Sequence, residues 1–173
     1  NRWFRYYDVR VAEAITLSGQ LAIRWAEKAV NDYMNKILGS SDHDYVIAID
    51  TDSVYINFGP MVDQMGLTDK AQIVKVIDEI VAKKFEPLLK NSYDDMAQYM
   101  NAYENKMVME REVIADVGIW TAKKRYILNV HNSEGVQYAK PKLKIMGIEA
   151  VKSSTIFAKL NIDSFASSLN ACC

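Results

Sequence analysis

Tyr45-Val46-Ile47-Ala48-Ile49-Asp50-Thr51-Asp52-Ser53-Val54-Tyr55-Ile56-Asn57-Phe58 is the stretch that decides the fold. Both apolar runs are rich in β-branched and aromatic residues, so they predict strands, with the acidic tetrapeptide Asp50–Ser53 as a tight turn between them. A link that short makes the strands antiparallel neighbours. Strand side chains alternate faces, which sends Asp50 and Asp52 to roughly the same side. Two carboxylates held close repel one another, and a cation relieves that repulsion. Mg²⁺ takes carboxylate oxygens and completes its shell with water and substrate phosphates. The chemical reading is a divalent-metal site for phosphoryl transfer. Asp, Thr and Ser are also ordinary turn residues that need no ligand, so the wider setting has to weigh the two readings.

Upstream, Val11, Ala14, Ile15, Leu21, Ala22, Trp25, Ala29, Val30, Tyr33, Ile37 and Leu38 recur at three- and four-residue spacing. This predicts a long amphipathic helix from about Asp8 to Leu38, with Asp8 as N-cap and Gly39 as the C-terminal stop. Gly19 costs that helix about 1 kcal/mol relative to Ala, a cost that close packing would offset. Ser40-Ser41-Asp42-His43-Asp44 reads as a polar loop with a solvated histidine. Asn1-Arg2-Trp3-Phe4-Arg5-Tyr6-Tyr7 carries four aromatics and no initiating Met, the look of a chain cut from something longer.

Downstream, Gly59-Pro60 ends the second strand. Thr68-Asp69 starts a helix carrying Ala71, Val74, Ile77, Ile80 and Val81, and Pro87 should break or kink it near Phe85. A further helix is expected from about Leu88 to Tyr103. Lys106–Ile114 and Ile119–Val130 read as strands, followed by two short strands, Val136–Ala139 and Leu143–Ile148, around Pro141. Helix, hairpin, helices and then strands make an α+β fold, an antiparallel sheet with packed helices.

Thr121-Ala122-Lys123-Lys124-Arg125-Tyr126 lies on the strand expected from Ile119. Alternation there sends Lys124 and Tyr126 to one face, Lys123 and Arg125 to the other. Consecutive cations are costly to bury and suit phosphates, or else mark a solvated edge strand. Lys140-Pro141-Lys142-Leu143-Lys144 forms a second basic cluster, and Lys152 adds a cation before Ser153-Ser154-Thr155. Glu112, in the mixed patch Glu110-Arg111-Glu112, is a further candidate carboxylate.

Phe4-Arg5-Tyr6-Tyr7-Asp8, the long helix, Asp50-Thr51-Asp52-Ser53, Lys123-Lys124-Arg125-Tyr126 and Pro141-Lys142-Leu143-Lys144-Ile145-Met146-Gly147 follow in the order seen in family B DNA polymerases. The chain resembles the replicative enzymes of T-even-type bacteriophages most closely, over residues 1–155, with a divergent tail over 156–173. The resemblance implies an incomplete palm subdomain, the C-terminal part, catalysing nucleotidyl transfer with Mg²⁺ or Mn²⁺. Asp52 and Asp50 match the catalytic, metal-binding carboxylates of the hairpin, and Glu112 matches a possible third. Lys123, Lys124, Arg125, Tyr126, Lys144 and Lys152 match residues that meet primer-template DNA. The implied partners are that DNA, a deoxynucleoside triphosphate, and either an upstream polymerase fragment or a second copy of the chain. The family's other catalytic aspartate and its nucleotide-binding lysine helix would fall before Asn1. Ala48-Ile49 replaces a Tyr-Gly pair, and Ile156 stands where the family commonly has Pro.

Composition bounds the rest. At 173 residues, half of them hydrophobic, the chain is globular and large enough for a sizeable core. A net charge of −1 argues against non-specific coating of nucleic acid but not against a local basic patch. No apolar run approaches the ~18 residues of a membrane span, and no signal peptide opens the chain; the resemblance implies the cytoplasm of a phage-infected cell as the location. Cys172 and Cys173 are adjacent and form no disulfide framework. Two alternatives stand beside the polymerase reading. A non-catalytic DNA-binding or assembly module would keep the palm fold, whereas an Asp-x-Asp glycosyltransferase would leave the basic strand unexplained.

Overall fold

The computed structural model describes residues 2–148, and Lys152 with the tail falls outside them. Helix α1 spans Val9–Leu38, β1 Val46–Asp50, β2 Ser53–Ile56, α2 Gly59–Met65 and α3 Lys70–Ile80. A π-helical turn, Val81–Phe85, joins α3 to α4, Glu86–Tyr99, and three strands follow: β3 Val113–Ala122, β4 Arg125–Ser133 and β5 Val136–Met146. The mixture of helices and antiparallel strands is compatible with the expected α+β class. The described chain divides into two compact units. One runs to Ile114 and includes Asn132–Val136; the other holds Ala115–His131 and the described chain from Gln137.

The ends of α1 follow from local chemistry. Asp8 is extended and its carboxylate accepts the Arg10 N–H at 2.9 Å, satisfying one donor the first turn leaves open. Arg10 also donates its guanidinium to Asp8, holding that carboxyl below its usual range. At the other end Gly39, at φ 67°, takes the left-handed conformation that a side chain would resist. Asp69 caps α3 in the same way, accepting from the Gln72 N–H at 3.2 Å.

The core of the first unit lies where α1 and α4 meet the β1–β2 hairpin. Ala22, Ala26, Val30 and Met34 of α1 pack with Tyr45, Val46, Met61, Phe85, Leu89, Tyr93 and Met96. Their spacing on α1 is four residues, one face of the helix. Phe85 is 1% exposed and meets the rings of Tyr33 and Phe58 edge-on, at 5.3 and 5.1 Å. The π-turn supplies that placement. It inserts a wider turn just before Pro87, whose missing N–H would otherwise leave a break. Chain direction carries on through Pro87 instead of stopping there.

A two-stranded sheet holds β1 and β2 antiparallel, with Ile49 opposite Val54 and Asp50 opposite Ser53. A bulge lies between Val46 and Ala48. The second sheet has the order β3-β4-β5; its two-residue links make it antiparallel. Tyr126, Leu128, Val130 and Asn132 alternate as the buried face of the central strand β4.

Several expectations need correction. Residues 106–112 form no strand; β3 begins at Val113, although the Met107/Met109/Arg111 alternation imitates one. The expected strand Ile119–Val130 is two strands, broken by a turn at Lys123-Lys124. Lys124 takes φ 63° there, a conformation that Gly or Asn would have announced and Lys does not. Conversely, β5 runs unbroken through Pro141. It is an edge strand, where a residue without an N–H need break no ladder. Helix α4 stops at Tyr99, short of Tyr103, and Gly59-Pro60, read from the sequence only as the end of a strand, opens the short helix α2. Nothing lies within 4 Å of a Cβ built at Gly19, so that residue serves no close packing.

Residues 9–20 of α1 are exposed throughout. Together with Trp3, Phe4, Tyr6 and Tyr7 they present Val9, Val11, Ile15 and Leu17 to solvent. At 100° per residue Val11 and Ile15 share one side of the helix, while Val9 and Leu17 lie on others.

Candidate metal and nucleic-acid sites

The first unit carries the acidic hairpin. Asp50 ends β1 half-buried, and Asp52 stands exposed in the turn. The Asp52 N–H donates to the Asp50 carbonyl at 2.6 Å, closing a three-residue turn around Thr51. Thr51 sits at φ 53°, a conformation β-branched residues rarely adopt and which stores strain. That turn sets the two aspartates on either side of a single residue. The Thr51 hydroxyl donates to Asp50 Oδ1 at 3.2 Å, and the Ser53 hydroxyl reaches Asp52 Oδ1 at 3.5 Å. Among the described residues neither carboxylate forms an ion pair, so both keep oxygen lone pairs for a hard cation.

The donor set fits a Mg²⁺ ion only in part. Among the described residues no group of three or more His, Cys, Asp or Glu side chains converges. Glu112, exposed just before β3, is therefore not gathered with Asp50 and Asp52; its carbonyl accepts the Glu134 N–H at 2.7 Å. Two carboxylates suffice for a Mg²⁺ that keeps several waters and binds substrate phosphates.

Helix α1 aims this hairpin through residues the sequence reading passed over. Asn31 accepts the Tyr45 N–H at 2.8 Å and donates to the Asp44 carboxylate at 2.9 Å. One turn on, Asn35 accepts the His43 N–H at 3.0 Å and donates to the His43 carbonyl at 2.8 Å. Its oxygen also takes the Ser40 hydroxyl at 2.7 Å. His43 thus belongs to a structural loop, its ring edge-on to Tyr45 at 4.5 Å. The available signal was the Asn31/Asn35 pair, two side chains with both donor and acceptor on one helix face.

The second unit carries the basic residues. Lys123 and Lys124 form the β3–β4 turn and Arg125 opens β4, all three exposed. Tyr126 points the other way, 6% exposed, its ring 6.3 Å from that of Trp120. The expected pairing of Lys124 and Tyr126 on one face fails because the turn interrupts the alternation. Gly147, at φ 66°, packs so closely behind the turn that a Cβ there would collide with the Lys124 carbonyl. Lys144 lies on β5, half-buried.

No family model matches the chain. Over 166 residues it is 43% identical to the DNA-directed DNA polymerase of Escherichia phage RB69, covering 90% of the chain and 18% of that protein. The chain is homologous to a segment of the T-even-type phage DNA polymerases. The DNA-directed DNA polymerase of Enterobacteria phage T4 is 41% identical over 166 residues, again with 90% and 18% covered. The chain therefore spans less than a fifth of the length of these polymerases. Among the described residues no helix is long and apolar enough to cross a membrane.

Proposed function

We propose that the chain is part of the palm subdomain of a family B DNA polymerase and serves template-directed nucleotidyl transfer. The observation that carries this reading is the 41–43% identity to phage DNA polymerases across a segment that contains the Asp50–Asp52 hairpin and the Lys123–Arg125 turn. Asp50 and Asp52 would hold divalent metal, Mg²⁺ or Mn²⁺, whose chemistry is activation of a primer hydroxyl and neutralisation of phosphate charge. Lys123, Lys124, Arg125 and Lys144 give contacts to the backbone of primer-template DNA. Such contacts position a duplex without reading its sequence, as copying any template requires. Tyr126, 6% exposed beside Trp120, stays in this proposal as a candidate DNA residue next to the turn. Glu112 and Lys152 stay in this proposal as candidates for metal and DNA respectively.

The incoming deoxynucleoside triphosphate and the remaining catalytic groups belong to the rest of a polymerase, in the cytoplasm of an infected cell. The exposed apolar surface over residues 3–17 is where that remaining polypeptide would dock. Reconstitution tests this. The 173-residue chain, added to a T-even-type polymerase lacking the matching segment, should restore Mg²⁺-dependent extension of a primed template, while either piece alone extends nothing. A complex that forms but never extends a primer, under conditions where the intact relative does, favours the non-catalytic module.

A further inference from the structure

The second unit holds six cationic side chains among its described residues, Lys123, Lys124, Arg125, Lys140, Lys142 and Lys144, against one carboxylate, Asp116. Asp116 is engaged, accepting from Asn129 Nδ2 at 2.8 Å with His131 Nε2 3.1 Å away. The whole chain has a net charge of −1, so this positive charge is segregated, the electrostatic footprint of a polyanion site.

Half of it lies outside the β3–β4 turn. Lys140, Lys142 and Lys144 alternate along β5 and so share one face of that strand, about 6.7 Å apart in steps of two residues. The Lys142 ammonium sits 4.2 Å from the centroid of the Tyr138 ring, four residues back on the same face, which confirms the alternation and holds the cation in place. Lys140 and Lys142 are exposed. Like charges spaced within a Debye length of about 8 Å repel one another, a cost that an anion relieves. Pro141 already protects the edge against strand addition, so a row of three lysines is not needed for that purpose. The close approach of Gly147 to the Lys124 carbonyl brings the end of β5 to the turn, so the row leads away from it for about 13 Å.

We propose that the Lys140–Lys142–Lys144 face of β5 is a second phosphate track, binding the backbone of double-stranded DNA beyond the residues at the turn. This rests on the DNA polymerase reading and adds Lys140 and Lys142, with Tyr138 as the positioning residue for Lys142.

The test is fluorescence anisotropy of the full chain with a labelled primer-template duplex across a range of salt. The variants are Lys140→Gln/Lys142→Gln and, separately, Lys124→Gln/Arg125→Gln. The first pair should lower the slope of log K against log salt by about 1.8, roughly 0.9 per lost phosphate contact. Thermal unfolding should be unchanged, since both side chains are exposed. Tyr138→Leu should lower the affinity for duplex while retaining most of the slope. An unchanged slope in the β5 pair, with a reduced one in the turn pair, overturns the track and leaves the polymerase reading standing. No duplex binding by the parent chain overturns both. Loss of slope on single-stranded DNA but not on duplex also overturns the proposal.

Discussion

The side-chain oxygen of Asn31, in the middle of α1, accepts the backbone N–H of Tyr45 at 2.8 Å, one residue before β1 begins. Its amide meanwhile donates to Asp44, whose carboxylate also accepts the Val46 N–H at 3.0 Å. One helical side chain thereby fixes where the acidic hairpin leaves the core. Asn31→Ala strands these groups without partners. It should destabilise the fold by about 1–3 kcal/mol, the range for leaving half-buried polar groups unpaired. Urea unfolding should show a lower midpoint at unchanged slope, and an unshifted midpoint would remove Asn31 from this role.

Phe85 tests the π-turn. Its ring, 1% exposed, is shared between α1 and the residues after β2 through Tyr33 and Phe58. Phe85→Ala should cost about 3–5 kcal/mol, the usual range for deleting a buried aromatic ring. Phe85→Leu, which keeps most of the apolar volume, should cost distinctly less. Equal losses in the two variants would mean that the cavity is not what destabilises.

Tyr93 predicts a pH dependence. Burial pushes its phenol above the ordinary value of 10.0. The folded state then holds that proton more tightly than the unfolded chain. Stability is therefore intact below about pH 10 and falls as pH rises beyond it. Tyr93→Phe removes the titrating group and loses only a long contact to the Met109 sulfur, 3.9 Å. Thermal melts of the variant should decline less between pH 9 and 11; identical declines would assign the alkaline loss to another group.

Lys124 and Arg125 give a prediction about sequence. Backbone contacts are blind to bases, so Lys124→Ala/Arg125→Ala should weaken binding to unrelated primer-templates by the same factor. Anisotropy titrations with several duplexes check this, and a variant that weakened one sequence alone would point to base readout.

Features written in local chemistry could be read from the sequence. Asp8 and Gly39 bound α1 because a cap and a left-handed stop each depend on a single residue. The β1–β2 hairpin was legible because two β-branched runs leave only four residues between them for a turn. What escaped depends on context. No residue at Lys123-Lys124 advertises a turn, and a lysine at positive φ is held there by the surrounding strands and Gly147. The alternation of residues 106–112 is real but has no strand partner among the described residues to make it a sheet. The Asn31 and Asn35 clamps join residues 8 to 14 positions apart, so the pair on one helix face is visible in the sequence but its partners are not. At the candidate site the two aspartates were legible by type, whereas the strained Thr51 between them was not.

Mn²⁺ reports directly on the proposed divalent-metal site at Asp50 and Asp52. Paramagnetic broadening in the NMR spectrum of the isotope-labelled chain, at low Mn²⁺, should centre on Asp50–Ser53. Excess Mg²⁺ should reverse it, and Asp52→Ala should abolish it while leaving the remaining resonances in place. Broadening that spares the hairpin, or that persists there in Asp52→Ala, would mean that these two aspartates do not hold the metal.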